Sequence, residues 1–343
     1  MNIIVLTGGT SAERNVALAS GKGITKALRE GGHNVRVVDP IYGTNQPSEE
    51  NIYNVKPVIG QEFPTADELK SYSSKKVLEC IDSDIFDNID IVFLGLHGKF
   101  GEDGKIQSLL EMRGVNYTGS GVTSSAMAMD KDISKIMFEH TGIPTPAWFM
   151  VEKDCFDLNK IAKRIGSSID YPVVIKPNDE GSTVGLSIVQ PDVEDVQLKN
   201  AMELAFNYTS RVMVEQYIEG RELTVTILGG EELPVVEIKP KDGFYDYEHK
   251  YTSGRTEYIC PAELPAELSG EIRSRALAAH NSLMCKAYSR VDFRLNPKNE
   301  FYCLEVNTLP GMTELSLVPK AAKAVGISFS DLLNRIIEFS LKS

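Results

Sequence analysis

The sequence predicts an α/β protein of two or three compact units, on three observations. Its 343 residues are enough for several buried cores. The chain opens with a short apolar run, a glycine turn, a helical repeat and a second apolar run, which is the order of a βαβ unit. Later runs of strand character end in glycine-punctuated polar loops, and an alternating hairpin precedes a C-terminal amphipathic helix.

Asn2 to Thr7 is too short for a helix and runs into Gly8-Gly9-Thr10-Ser11, so it reads as a buried parallel strand with a tight turn. Val16, Ser20, Ile24, Ala27 and Leu28 recur at helical spacing as far as Gly31-Gly32, and Asn34 to Asp39 forms the next strand. Glu13 stands near the first helical turn, at the carboxyl end of a strand, where open α/β sheets bind ligands. It reads equally as an acid favoured by the helix dipole. The turn lacks GxGxxG, so support for a dinucleotide site is weak. Residues 41–88 carry little periodicity and are expected to hold loops, a short strand and a hairpin. Asp90 to Leu96 is a buried strand, and the loop His97-Gly-Lys-Phe-Gly-Glu-Asp-Gly that follows gathers a histidine, a lysine and two acids at its end. Helices are expected near 105–113 and 122–141, the second carrying Lys131 and ending at Gly142.

Tyr171 to Pro177 and Leu186 to Val189 read as strands flanking the loop NDEGSTVG, residues 178–185. A glycine- and hydroxyl-rich loop of this kind can lay backbone N–H groups over phosphates; an ordinary hairpin loop is the plain alternative. It is not a P-loop, because GK[ST] is absent and a strand follows. Lys176 at its base is a candidate phosphate cation. Arg211 to Ile218 and Leu223 to Leu228 are further strands, around Glu219-Gly220-Arg221-Glu222. The aromatic, polar stretch 240–255 has no period and reads as a long lid-like loop. A helix is expected over 265–289, and a last one, with Phe329, Leu332, Leu333, Ile336 and Ile337 in register, is entered at Ser328 or Ser330.

In the hairpin, Val291, Phe293 and Leu295 point one way and Arg290, Asp292 and Arg294 the other. Beyond the turn at 296–299, Tyr302, Leu304 and Val306 are expected on one face, and Phe301, Cys303, Glu305 and Asn307 on the opposite one. A loop of even length would set Asp292 directly across from Glu305. Facing like charges repel, so the pair is either a solvated patch or a cation site, and oxygen-only donors suit Mg²⁺.

Composition narrows the function. A charged fraction of 24% and a hydrophobic fraction of 42% are ordinary for a soluble protein. A formal net charge of −12 disfavours a general nucleic-acid or anionic-membrane binder, while leaving room for a local phosphate pocket. Five scattered cysteines without CxxC spacing suggest neither a disulfide framework nor a zinc site, and fit a reducing cytosol. The N-terminus enters a strand almost at once, without the basic n-region and long h-region expected of a signal peptide, and no apolar run approaches the ~18 residues a membrane span needs.

Taken in order, GGTSAE (8–13), LHGKFGEDG (96–104), MDK (129–131), KPNDEGSTVG (176–185), EQYIEGRE (215–222), FYDYEHKY (244–251), RVDFR (290–294) and EVNTLPGMTELS (305–316) resemble the motif series of the D-alanine–D-alanine ligases, in the ATP-grasp superfamily. The resemblance spans residues 3 to about 335. It implies a three-domain ATP-grasp architecture: a Rossmann-like N-terminal domain (1–121), a central subdomain (122–217) and a C-terminal subdomain with lid and metal site (218–343). It also implies ATP-dependent joining of two D-alanines through a D-alanyl phosphate, for peptidoglycan synthesis, in a cytoplasmic homodimer.

By the same resemblance, Lys131, Lys176 and Lys250 would contact the nucleotide phosphates, with the loop from Glu180 to Gly185 closing over them. Glu215 and the backbone of Gln216, Tyr217 and Ile218 would meet adenine, and Glu222 the ribose. Asp292, Glu305 and Asn307 would hold two Mg²⁺ ions, with Mn²⁺ as an alternative metal. Glu13 and His97 would orient the first D-alanine, Arg290 and the Gly311 N–H would stabilise the oxyanion, and Ser316 and Leu317 would receive the second carboxylate. Glu13, Ser182 and Tyr251 resemble the family's hydrogen-bonded trio, and Tyr251 favours an amine nucleophile over D-lactate. The phosphate loop reads Gly-Ser-Thr where many relatives have Gly-Ser-Ser, which keeps the hydroxyl. The alternatives are a D-serine or D-lactate second substrate, or an inactive ATP-binding regulator; the latter predicts losses among Arg290, Asp292, Glu305 and Asn307, all of which are present.

Overall fold

Three sheets organise the described residues, which are 1–54, 72–191, 195–240 and 256–342 of a computed structural model. The first sheet is parallel, in the order β2 (Asn34–Val38), β1 (Asn2–Leu6), β3 (Ile91–Leu94). Helix α1 (Arg14–Glu30) makes the crossover, so the βαβ opening forms as expected. Ile3 to Leu6 of the middle strand are at most 1% exposed, which accounts for an apolar run rather than an alternating one.

Of the stretch 41–88, residues 55–71 lie outside the described residues, and with them the place for the expected strand and hairpin. Where described, it holds the short helices α2 (Glu49–Tyr53) and α3 (Ser74–Asp82). Val77, Cys80 and Ile81 of α3 recur at helical spacing and are buried against the first sheet. Helix α4 (Lys105–Arg113) matches its expected range. The helix expected over 122–141 is two, α5 (Val122–Met129) and α6 (Lys131–His140). Asp130 separates them in an extended conformation and caps α6 by accepting from the Ile133 N–H at 3.0 Å.

The second sheet is antiparallel, in the order β4 (Trp148–Glu152), β7 (Arg211–Gln216), β5 (Val173–Pro177), β6 (Ser187–Val189). Helices α7 (Leu158–Ser168) and α8 (Asp195–Phe206) cover it. The third sheet runs β11 (Thr256–Ile259), β10 (Val236–Pro240), β8 (Arg221–Leu228), β12 (Tyr288–Leu295), β13 (Phe301–Asn307), with β9 (Glu231–Glu232) paired to β8. Helix α9 (Ala266–Ser282) packs on it together with Ala128 and Phe138 from α5 and α6. The expected 265–289 helix therefore stops early. Met284 and Ala287 turn with positive φ (54° and 56°), and neither is a glycine that would have announced the end.

Helices α10 (Leu317–Ala324) and α11 (Phe329–Leu341) return to the first sheet, where Val318, Leu332, Leu333, Ile336 and Ile337 join its core. Each buried Leu or Ile contributes about 2 kcal/mol, so the C-terminal segment is held firmly against the N-terminal one. Ser328, one of the two expected entry residues, caps α11 by accepting from the Asp331 N–H.

The β12–β13 hairpin reaches its pairing by a different route from the one expected. Its loop, between paired Leu295 and Phe301, holds five residues (296–300), an odd number. Left uninterrupted, that register would put Asp292 opposite Leu304. A bulge between Asp292 and Phe293 slips the pairing by one, and Asp292 faces Glu305 after all. The same bulge breaks the alternation expected for β13. Phe301, Cys303 and Val306 face the core at 6%, 0% and 3% exposure, while Tyr302, Leu304, Glu305 and Asn307 lie on the other face. One extra residue thus turns both Leu304 and Glu305 towards the same cleft.

Candidate active site

That cleft lies between the second and third sheets and encloses about 890 Å³, open solvent at its mouth included, which suits a small-molecule ligand. Lys131, Lys176, Glu180, Ser182, Glu215, Gln216, Tyr217, Ile218, Glu222, Asp292 and Glu305 all line it. Eleven residues singled out in separate motifs therefore share one wall-to-wall surface. Lys250 and Tyr251 lie outside the described residues.

The hairpin supplies the acidic wall. Arg290 donates to both oxygens of Asp292, at 2.9 and 2.7 Å, and Thr224 and the Asn307 amide donate to them at 2.7 and 3.0 Å. Such a set fixes the carboxylate in one orientation. Glu305 across the ladder has Lys131 Nζ at 3.5 Å. The solvated-patch alternative fits poorly with this: the Asp292 side chain is 13% exposed and held by Arg290 of its own strand, and Glu305 meets Lys131 from α6.

Two lysines share Glu215. Lys176 Nζ and Lys135 Nζ donate to its two oxygens at 2.6 and 2.7 Å, and Lys135 also meets Thr145 Oγ1 at 2.7 Å and stands over the Trp148 ring. Burial alone would raise the Glu215 carboxyl, but the two ammonium groups outweigh it and hold it below the ordinary range. Burial dominates at Lys135 and lowers it to about 8. Lys135 was not singled out in the sequence. Its signal was there, four residues after Lys131 on the same helix face.

The loop between β5 and β6 passes over the cleft, with Ser182 and Thr183 in left-handed conformations (φ 50° and 61°). Ser182 Oγ donates to Glu13 Oε1. Glu13 occupies the N-cap of α1 without making the capping bond, so its carboxylate serves the loop rather than the helix. Gly98 allows this approach, since a Cβ there would lie 2.7 Å from Glu13 Oε2. Nearby Asp39, at the end of β2, is closed to a ribose: Arg14 bridges it and the Gly9 N–H donates to it at 3.2 Å. A dinucleotide reading of this βαβ unit falls on that contact.

His97 spends both ring nitrogens on the chain. Its Nδ1 faces the Leu309 carbonyl at 2.9 Å and so donates, which makes Nε2 the acceptor from Ser20 Oγ at 3.0 Å; Ser20 in turn accepts from the Met312 N–H. Complete burial lowers His97 to about 4, so it is neutral. These bonds dock the loop after β13 on the first sheet. In that loop Gly311 and Ser316 are neighbours, Ser316 Oγ accepts from the Thr313 N–H at 3.1 Å, and Leu317 begins α10. Glu102, unmentioned by the motifs as a ligand, accepts from the Gly98 N–H at 2.7 Å; burial, with the Glu13 charge beside it, raises its carboxyl to about 8. Arg294 holds the β7–β8 connection, donating to the Ile218 and Gly220 carbonyls at 3.1 and 2.9 Å with Glu222 at 3.5 Å.

Comparison with known proteins shows the family. Residues 2–120 match the family model described as D-ala D-ala ligase N-terminus, and residues 137–338 the one described as D-ala D-ala ligase C-terminus. A D-alanine–D-alanine ligase of Syntrophotalea carbinolica is 41% identical over 98% of this chain and 94% of its own length. The Bacillus anthracis D-alanine–D-alanine ligase structure complexed with ATP has a TM-score of 0.75 at 32% identity, covering 100% of this chain and 98% of that one. The VanG D-Ala:D-Ser ligase of Enterococcus faecalis has a TM-score of 0.78 at 30% identity, covering 99% of both chains. The chain belongs to the D-alanine–D-alanine ligase family.

Proposed function

We propose that this enzyme joins two molecules of D-alanine at the expense of ATP, releasing ADP and phosphate. The observation that carries the reading is the meeting of Asp292 and Glu305 with Lys131 and Lys176 in one cleft, under a loop tied to Glu13. A carboxylate and an ammonium ion do not condense in water, so the first D-alanine must be activated. Its carboxylate attacks the γ-phosphorus of ATP, giving D-alanyl phosphate and ADP. Lys131 and Lys176 offset the charge gathering there, and the loop from Glu180 to Gly185 covers the phosphates. The apolar end of the cleft, with Val174, Leu186, Ile218 and Leu304, receives the base along Gln216 and Tyr217, and Glu222 receives the ribose. Asp292 and Glu305, beside the phosphate lysines, and the Asn307 amide oxygen next to Asp292 are hard oxygen donors that would hold the two Mg²⁺ ions. When bound, these ions would neutralise phosphate charge as Lewis acids.

The deprotonated amine of the second D-alanine then attacks the acyl carbon. The guanidinium of Arg290, held in place by Asp292, and the Gly311 N–H stabilise the oxyanion, and phosphate leaves. Glu13 and the loop carrying His97 orient the first substrate. Ser316 and the N-terminus of α10, which starts at Leu317, suit the second carboxylate. In this reading Lys250 would serve the γ-phosphate; like Tyr251, it lies outside the described residues. The domains are then 1–121, 122–217 and 218–343, a division supported by the strands of the three sheets, although α5 and α6 pack on the third sheet and α10 and α11 on the first. The cytoplasm and a homodimer complete the proposal; free cysteines support the first, and sedimentation tests the second.

The test is ADP and phosphate release by the purified protein with ATP, Mg²⁺ and D-alanine, with D-serine or D-lactate added in parallel. D-Alanine alone should support turnover and yield the dipeptide. Absence of ADP with D-alanine overturns the proposal. A mixed D-alanyl-D-serine product in preference to the homodipeptide would favour the second reading, which the VanG likeness supports.

A further inference from the structure

Lys99, the third residue of the loop His97–Gly104, has no part in the reaction as described, yet it spans three separate segments. Its Nζ lies 2.6 Å from Glu180 Oε1 and 3.2 Å from Asp179 Oδ2, and donates to the Tyr208 carbonyl at 3.1 Å. Asp179 and Glu180 begin the loop over the cleft, and Tyr208 lies in the turn before β7. The far end of the same loop rests on Tyr208 too: Gly185 has φ +68°, and a Cβ there would meet the Tyr208 ring at 2.8 Å. Lys99 therefore fastens the near end of the loop to the support on which its far end lies.

The contact continues into the cleft. The Glu180 carbonyl accepts from Lys131 Nζ at 2.6 Å, and Lys131 faces Glu305 at 3.5 Å. Charges alternate along this line: Lys99, Glu180, Lys131, Glu305. The Glu180 side chain is 14% exposed, so without Lys99 a largely buried carboxylate would lose its nearest cation and would gain by swinging out to water. Such a movement would carry the loop and Lys131 with it.

We propose that Lys99 is a positioning residue that clamps the loop 178–185 over the nucleotide phosphates by pairing with Glu180 and Asp179. The proposal rests on the reading of the cleft as an ATP site. Lys99→Met removes the ammonium while keeping the length of the apolar stem, and Lys99→Arg keeps the charge. With Lys99→Met the KM for ATP should rise about three- to tenfold while the KM for D-alanine stays within about twofold. ADP should also exceed dipeptide, because a loosened loop admits water to the acyl phosphate. Lys99→Arg should restore both. A readout independent of catalysis is cleavage by a glutamate-specific protease after Glu180, which should be faster in Lys99→Met at an unchanged melting temperature. Unchanged cleavage, or an active wild type with Lys99→Met matching it in ATP KM and ADP-to-dipeptide ratio, overturns the clamp. Equal defects in Lys99→Met and Lys99→Arg overturn it as well. A wild-type protein that forms no ADP with D-alanine overturns the functional reading instead, and the clamp with it.

Discussion

Replacing Glu102 by glutamine should stabilise the protein, and more so as pH rises. Burial, with the Glu13 carboxylate beside it, raises the Glu102 carboxyl from 4.5 to about 8 and outweighs the Gly98 N–H, whose hydrogen bond favours the ionised form. Below pH 4.5 the group is protonated in the folded and unfolded chains alike, and it adds no pH dependence. Between pH 4.5 and 8 the unfolded chain releases a proton that the folded chain keeps, so stability falls as pH rises, and the loss is complete above pH 8. At about 1.36 kcal/mol per unit, the ceiling is about 5 kcal/mol, and hydration and relaxation of the site should reduce the measured gain to about 2 kcal/mol. Glutamine keeps an oxygen for the Gly98 N–H and carries no charge. His97 acts in the opposite sense: its folded value of about 4 lies below 6.5, so its contribution is present above pH 6.5 and is lost as pH falls towards 4. Wild-type profiles mix the two, whereas the difference between variant and wild type isolates Glu102. Thermal melts at pH 5, 7 and 9 are the assay, and Glu102→Gln should gain about 2–4 °C at pH 9 and little at pH 5. A difference independent of pH, or one that reverses at pH 9, would refute the reasoning.

Two other substitutions probe the same walls. Gly98→Ala places a Cβ 2.7 Å from Glu13 Oε2 at a residue with φ +70°, and should cost about 1 kcal/mol in backbone strain alone. By displacing Glu13 it should also lower kcat/KM by about tenfold or more; steady-state kinetics checks this, and a wild-type value would show that Glu13 relaxes without consequence. Lys135→Met leaves Glu215 with one of its two lysines and should destabilise by about 3 kcal/mol, read by urea denaturation. A loss under about 0.5 kcal/mol would mean that Lys176 alone satisfies Glu215.

Much of this site could be read from the chain because its residues sit in short runs between strands. Strand ends fix where a loop begins, and apolar strands announce themselves by composition, so the loops 97–104 and 178–185 could be placed from order alone. Parity was the harder matter. Whether Asp292 met Glu305 depended on a bulge after Asp292, and nothing in the local composition distinguishes Leu304 on the cleft face from a core leucine. Helix ends were missed where a non-glycine took a positive φ, as at Met284, or where an aspartate in mid-pattern preferred to cap, as at Asp130. The ties between units were the least legible. His97 to Leu309 and Lys99 to Glu180 join residues far apart in sequence, and only their spatial meeting gives them meaning.

The most direct test follows oxygen through the reaction. D-Alanine labelled with ¹⁸O in its carboxylate is incubated with ATP, Mg²⁺ and the enzyme, and the released phosphate is examined by mass spectrometry. Attack of the carboxylate on the γ-phosphorus carries one labelled oxygen into each phosphate released with dipeptide, and that transfer is the expected result. Dipeptide formed with unlabelled phosphate would contradict activation through a D-alanyl phosphate.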